Sequence, residues 1–364
     1  MNKLRFHLCV IVAGGACALH PGTAAGRTFT IINVSGAGTT AGQGTLAESI
    51  NASGVIAGNY WDSNNVSHAY VRAASGTITT FDAPGAGTAA GQGTGGCYGI
   101  NTAGAVSGNY IDSNGTFHGF VRSASGAITT FDVPGAGTTA SQGTFPYGIN
   151  SSGDVSGTFA DANNVLHGFV RAVSGTFYRF SVPGAGTAAG QGTAAYAINL
   201  SGQTTGSYTD SNSIIHGFVR ASNGTITTFD SPGAAGTYGY GINSSGVITG
   251  NSWLGGQGAS GIVRATDGTF TTFNAPGAGT GDSQGTVGWS INSSGTVSGW
   301  YIDSNSAYHG FERSSSGTLV TFGPPHAGTG SGQGTVPYGL NTSGVICGYY
   351  VDANNAAHGF ILSQ

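Results

Sequence analysis

"GINTAGAVSGNYIDSNGTFHGFVR", residues 99–122, decides the fold. Its apolar residues fall in short runs of Val, Ile, Tyr and Phe, split by Gly, Asn and Ser, with no helical period. That is the pattern of strands and hairpins. Asn101-Thr102-Ala103-Gly104 has Asn first and Gly fourth, as a type I turn prefers. Asp112-Ser113-Asn114-Gly115 reads as a second turn and Ala124-Ser125-Gly126 as a third. The stretch and its continuation therefore predict four short strands joined by three tight hairpins.

The pattern recurs along the chain. The Asn of an Ile/Leu-Asn pair falls at Asn51, Asn101, Asn150, Asn199, Asn243, Asn292 and Asn341, with spacings of 50, 49, 49, 44, 49 and 49. A glycine-rich linker such as "PGAGTAAGQGT" (84–94) joins successive units, and the 44-residue step has the shorter "PGAAGT" (232–237). The residue before the Ile/Leu-Asn pair is always small: Ser49, Gly99, Gly148, Ala197, Gly241, Ser290 or Gly339. Small residues suit strands whose backbones crowd together, as at the axis of a propeller. The segment 28–34, "TFTIINV", matches the fourth strand of a unit, and the chain stops after the third strand of its last unit. Joining the two would complete a final blade. The expected fold is all-β: a seven-bladed β-propeller of four-stranded blades, closed by strand 28–34. The alternative is a glycine-rich β-solenoid, which would instead carry atypical capping repeats.

Residues 99–122, with "TTFDVPGAGT" (129–138), resemble the HAF extracellular repeat family, whose hallmark is the triplet His-(Ala/Gly)-Phe. The resemblance spans residues 28–364, and the first unit reads His68-Ala69-Tyr70. It implies a secreted or surface-exposed, propeller-like repeat protein and no defined chemistry. The fifth unit departs from the pattern, since "NSWLGGQGASGIVR" (251–264) lacks both the Asp and the His.

Composition sets further bounds. Of 364 residues, 38% are hydrophobic, enough for a packed core, and the 68 glycines are ordered by the repeat. Lys3 and Arg5, the apolar run from Phe6 to Leu19, and Thr23 with Ala25 read as a secretory signal at 1–25, leaving one domain at 26–364. The expected location is extracellular. Periplasmic retention, or a lipid anchor on Cys17, is the alternative. Without the leader the chain has 8 Arg, no Lys and 14 acids, a formal charge of −6. Nucleic-acid binding requires a basic stripe, which is missing. No later apolar run is long enough for a helical membrane span. Cys97 and Cys347 are either a single disulfide or two buried thiols.

The recurrent Asp and His come first among candidate sites. Asp62, Asp112, Asp161, Asp210, Asp303 and Asp352 each precede by six residues His68, His118, His167, His216, His309 and His358. Catalysis needs one constellation in one place. Six copies around a ring suggest instead a turn cap and a strand tie. A calcium loop is excluded by the missing later carboxylate, and histidines on separate blades would not converge on one metal. Neither metal nor cofactor is expected. The linkers lack the Lys and following helix of a phosphate cradle. Arg72, Arg122, Arg171, Arg220, Arg264 and Arg313 end the third strand, where Leu362 stands in the last unit. They should pair with acids or stack on rings.

Function is expected where symmetry breaks. Trp289 replaces the usual Tyr, Trp300 takes a place that is Asn in three units, and Trp253 belongs to the divergent fifth unit. Such rings bind sugar faces or protein hot spots, or pack between blades. These features point to a monomeric, non-enzymatic binding propeller for a glycan or an extracellular protein. One alternative is a hydrolase or lyase with a site in the central channel, for which Asp154, Asp282 and Glu312 are the acids outside the repeat. Another is a structural matrix or surface-layer protein.

Overall fold

The computed structural model describes residues 26–363, so the expected leader at 1–25 and the candidate anchor Cys17 lie outside the described residues. The described residues form strands, with no helix. β1 (Thr28–Ile32) is followed by β2 (Gly44–Ile50), β3 (Ile56–Trp61), β4 (Ser67–Arg72) and β5 (Ile78–Phe81). β2 to β5 pair antiparallel in sequence order. The same antiparallel run is repeated in each later unit. The last three strands, Gly334–Leu340, Ile346–Val351 and Ala357–Ser363, pair likewise. β1 then adds to Ala357–Ser363, from Thr28↔Ser363 to Ile32↔Gly359. The first strand thus completes the set begun by the last three. β2 packs along Gly334–Leu340, so the inner strands close on themselves. The architecture is that of a β-propeller.

Hydrogen bonds explain why each unit needs its Asn. Asn51 Oδ1 accepts from the amides of Ser53 and Val55, capping the turn between β2 and β3. Its Nδ2 donates to the carbonyl of Asn101, 3.1 Å away in the next unit. The same donation passes from Asn101 to Asn150, Asn199, Asn243, Asn292 and Asn341. Asn341 then donates back to Asn51 at 3.2 Å. Each of these side chains is buried. One residue therefore caps its own hairpin and holds the neighbouring unit.

Close approach explains the small residues. A Cβ on Gly339 would lie 3.0 Å from the Ile50 amide nitrogen on the adjacent inner strand. At Gly44 the constraint is double: φ is +117°, and a Cβ would sit 2.0 Å from the carbonyl oxygen of Ala357. Only glycine fits such a contact.

Between units the core is aromatic and aliphatic. Phe120, Phe169, Phe218, Phe311, Phe360 and Tyr70 are fully buried at equivalent positions. The strand-ending arginines lie over rings of the preceding unit: Arg122 over Phe81, Arg171 over Phe131, Arg220 over Phe180, Arg264 over Phe229 and Arg313 over Phe273, at 4.8–5.0 Å. This is a cation–π arrangement. In the closing unit, where Leu362 replaces the arginine, Arg27 lies over Phe322 at 5.9 Å and pairs with Glu312. Cys97 and Cys347 are both free and buried in separate apolar clusters, so the disulfide reading does not describe this structure.

Candidate functional site

Each inner strand carries an irregularity just before its Ile/Leu-Asn pair. In β2 the pairing passes from Ala47↔Gly58 to Ser49↔Ala57, leaving Glu48 as the extra residue. The same shift leaves out Tyr147, Tyr196, Tyr240, Trp289 and Tyr338, and a wider one includes Tyr98. A β-bulge frees its residue from the regular alternation and re-aims the side chain. All seven of these residues line one cavity of about 230 Å³ at the level of the small residues and the Ile/Leu collar.

The rings touch in sequence around this cavity. Centroid separations are 5.5 Å for Tyr98–Tyr147, 5.6 Å for Tyr147–Tyr196, 5.5 Å for Tyr196–Tyr240, 4.8 Å for Tyr240–Trp289 and 5.2 Å for Trp289–Tyr338. Tyr338 also stacks on Tyr98 at 6.4 Å. Every ring is partly exposed, and enclosure raises each phenol above its ordinary pKa. The tyrosines are therefore neutral donors and acceptors around neutrality.

Glu48 breaks the ring. It stands where six units have Tyr or Trp, and it is 6% exposed. Its Oε2 accepts from the Cys97 amide at 2.6 Å. Oε1 has no hydrogen-bond partner among the described residues. Burial pushes the Glu48 carboxyl up to about 8, against the lowering effect of the Cys97 amide. The lining contains no Lys, Arg or His. A second departure sits close by. Tyr70 replaces the usual Phe, and its buried hydroxyl has no hydrogen-bond partner among the described residues. Glu48, Cys97 and Cys347 all bear on that hydroxyl and help burial to hold it neutral. Glu48 was legible as the acid standing in the tyrosine column of the repeat. Its inward aim was not, because a bulge depends on the register of the partner strand.

The three tryptophans belong to one aromatic network. Trp289 is in the ring itself. Trp300 lies 5.3 Å from Trp289 and 6.1 Å from Tyr338. Trp253 joins through Tyr238 at 5.6 Å, which stacks on Tyr240 at 5.2 Å. All three are partly exposed.

The Asp and His positions lie elsewhere, one pair per hairpin. Asp112 Oδ1 accepts from the amides of Asn114 and Thr116, both at 2.9 Å, capping its turn. His118 stacks on Tyr110 at 4.9 Å, with Nδ1 2.9 Å from Asp132 just past the outer strand and Nε2 3.5 Å from Asp112. His216 repeats this with Asp230 and Asp210. His167 reaches Ser181 and Asp161, and His358 reaches Asn33 and Asp352. His309 lies 3.0 Å from Asp303. Among the described residues no three or more His, Cys, Asp or Glu converge to hold a metal. The remaining acids are separate. Glu312 pairs with Arg27, and Asp154 accepts from the amides of Val173 and Asn150. Asp282 is exposed in a linker. None of these lines the cavity.

No protein-family model and no curated protein sequence matches the chain. Solved structures do. The chain is similar to the BP39L lectin from Burkholderia pseudomallei, with a TM-score of 0.51 at 9% identity over 85% of this chain and 95% of that one. A fucose-recognising lectin from Aleuria aurantia, described as a six-bladed β-propeller, gives 0.42 at 15% identity over 78% and 94%. TolB from Acinetobacter baumannii gives 0.44 at 10% identity over 92% and 80%. At these identities the BP39L likeness bears on the fold alone, and the two weaker ones carry no argument.

Proposed function

We propose that this protein is a seven-bladed propeller of four-stranded blades that works as a non-enzymatic binding module, seating a sugar ring in its axial cavity. One observation carries the reading: six aromatic rings and one carboxyl are turned by equivalent bulges onto a single cavity. Sugar rings stack their apolar faces on such side chains, while hydroxyls exchange hydrogen bonds with phenols and a carboxyl. The BP39L likeness supports a lectin-like scaffold and contributes no site residue. An exported or surface-exposed location, and membership of the HAF repeat group, belong to the same proposal and rest on the sequence pattern.

The lining supports binding over hydrolysis. Glycoside hydrolysis ordinarily uses two carboxyls flanking the bond. The cavity offers Glu48 and no second acid. The test is titration of the purified protein with monosaccharides and short glycans, alongside Trp289→Ala and Tyr338→Ala. The expected result is saturable binding without turnover, weakened at least about tenfold by either substitution. Binding untouched by both would place the site elsewhere on the ring. Release of product would overturn the non-enzymatic reading.

A further inference from the structure

We propose that the axial cavity selects a compact ligand carrying a protonated amine, with the ammonium held between Glu48 and the neighbouring aromatic faces. This rests on the reading that the cavity is the binding site, and it adds the charge of what is bound.

Three observations lead to it. First, Glu48 lines the cavity with no cationic side chain beside it. Arg72 and Arg122 act on Tyr70 and Cys97, and neither is among the influences on Glu48. The other titratable groups around it, Tyr70, Cys97, Tyr98, Tyr338, Cys347 and Tyr349, are all held neutral by burial. Second, only one carboxyl oxygen is engaged, by the Cys97 amide, which leaves the other for a ligand. Third, the rest of the wall is π-faces, whose negative potential favours cations, ammonium groups above all. A buried carboxylate without a countercharge is costly. A neutral sugar does nothing to offset that cost, since a seventh tyrosine would serve its hydroxyls as well. An ammonium offsets it directly. Proton balance follows: the empty cavity keeps Glu48 protonated near neutrality, and cation entry releases that proton to solvent.

Two sources share this chemistry, an amino sugar and a free alkylammonium. Calorimetry of the intact protein with glucosamine, glucose, N-acetylglucosamine and methylammonium separates them. Each is titrated at pH 6.5 in two buffers of different ionisation enthalpy, with wild type and Glu48→Gln. The expected result is glucosamine bound at least about tenfold tighter than glucose or N-acetylglucosamine, with close to one proton released and the preference lost in Glu48→Gln. Proton release is read on the wild-type protein, so the outcome stands even if the variant folds poorly. Equal affinity for glucose and glucosamine, without proton release, overturns the amine inference and leaves the sugar-binding reading intact. Glu48-dependent capture of methylammonium with no sugar bound upholds the amine inference and overturns the sugar reading. If none of the four binds, both fall.

Discussion

The side-chain amide of Asn341 donates to the backbone carbonyl of Asn51 at 3.2 Å, across 290 residues of chain. It is the same bond that every other unit makes to its successor, so closure of the ring uses no special device. Asn341 also accepts from the amides of Ser343 and Val345 through Oδ1.

Asn341→Ala should therefore destabilise the protein by about 1–3 kcal/mol, since it leaves the Ser343 and Val345 amides without their acceptor and takes from the Asn51 carbonyl one of its two donors, the other being the Gly54 amide. Asn341→Asp keeps the acceptor and loses the donor, so it should fall between wild type and Ala. Urea unfolding measures both. A loss under about 0.5 kcal/mol for the Ala variant would show that water replaces the ring.

Arg27 substitutes for an arginine that its own unit lacks. It lies over Phe322 and pairs with Glu312, whereas the equivalent strand end is Leu362. Arg27→Ala should cost about 1–2 kcal/mol through the lost cation–π and ion-pair contacts. A double-mutant cycle with Glu312→Gln should show a positive coupling energy. Strict additivity would mean that the pair contributes nothing beyond the ring contact.

Much of this fold could be read before any coordinates. The spacing of Asn51 to Asn341, the Gly at each turn and the small residue before each Ile/Leu-Asn pair report local demands: a turn geometry and a backbone approach. Those demands are met within a few residues, so they leave a periodic trace. The match between 28–34 and the missing last strand is likewise a matter of counting strands. The second role of each Asn was hidden, because its Nδ2 partner lies one unit away. The cavity was hidden for a related reason. Glu48 stands in the column of Tyr98 and Trp289, but a column does not reveal that a bulge turns it toward the axis. Trp289 and its neighbour Trp300 stand out in the sequence as rare large rings, whereas Glu48 is one acid among 14.

The Asp caps predict acid sensitivity. Burial pushes the Asp112 carboxyl up, but the Thr116 and Asn114 amides and the His118 ring outweigh it and hold the group below its ordinary value. Asp62, Asp161, Asp210 and Asp352 are lowered in the same way. A depressed folded pKa gives stability that is complete above the unfolded value near ~3.9 and lost as pH falls through the folded value. The stability that these caps supply should thus hold steady from pH 6 to pH 5 and be lost steeply below about pH 4, which is read as the urea midpoint of Glu48→Gln, a background without the separate slope of that buried carboxyl. Asp112→Asn retains an acceptor for both amides. It should cost less than about 1 kcal/mol at pH 6 and flatten the acid limb. An acid limb as steep as wild type would rule out this carboxyl as a contributor.

Glu48 predicts the opposite slope. Burial raises its carboxyl from an ordinary 4.5 to about 8. Between those values the folded state keeps a proton that the unfolded chain has released, so stability falls as pH rises through this window and levels off above it. Glu48→Gln keeps an acceptor for the Cys97 amide and removes the ionisation. At pH 7 the variant should be more stable than wild type by roughly 3 kcal/mol, from about 1.36 kcal/mol for each pH step above the unfolded pKa. At pH 4 the two should coincide. Urea unfolding at pH 4, 5.5, 7 and 8.5 measures the divergence. Parallel curves would mean that Glu48 ionises freely in the folded protein, with the cavity wet enough to solvate it. Divergence that closes on adding methylammonium would tie the same carboxyl to a bound cation, because the ion stabilises only the protein that retains Glu48.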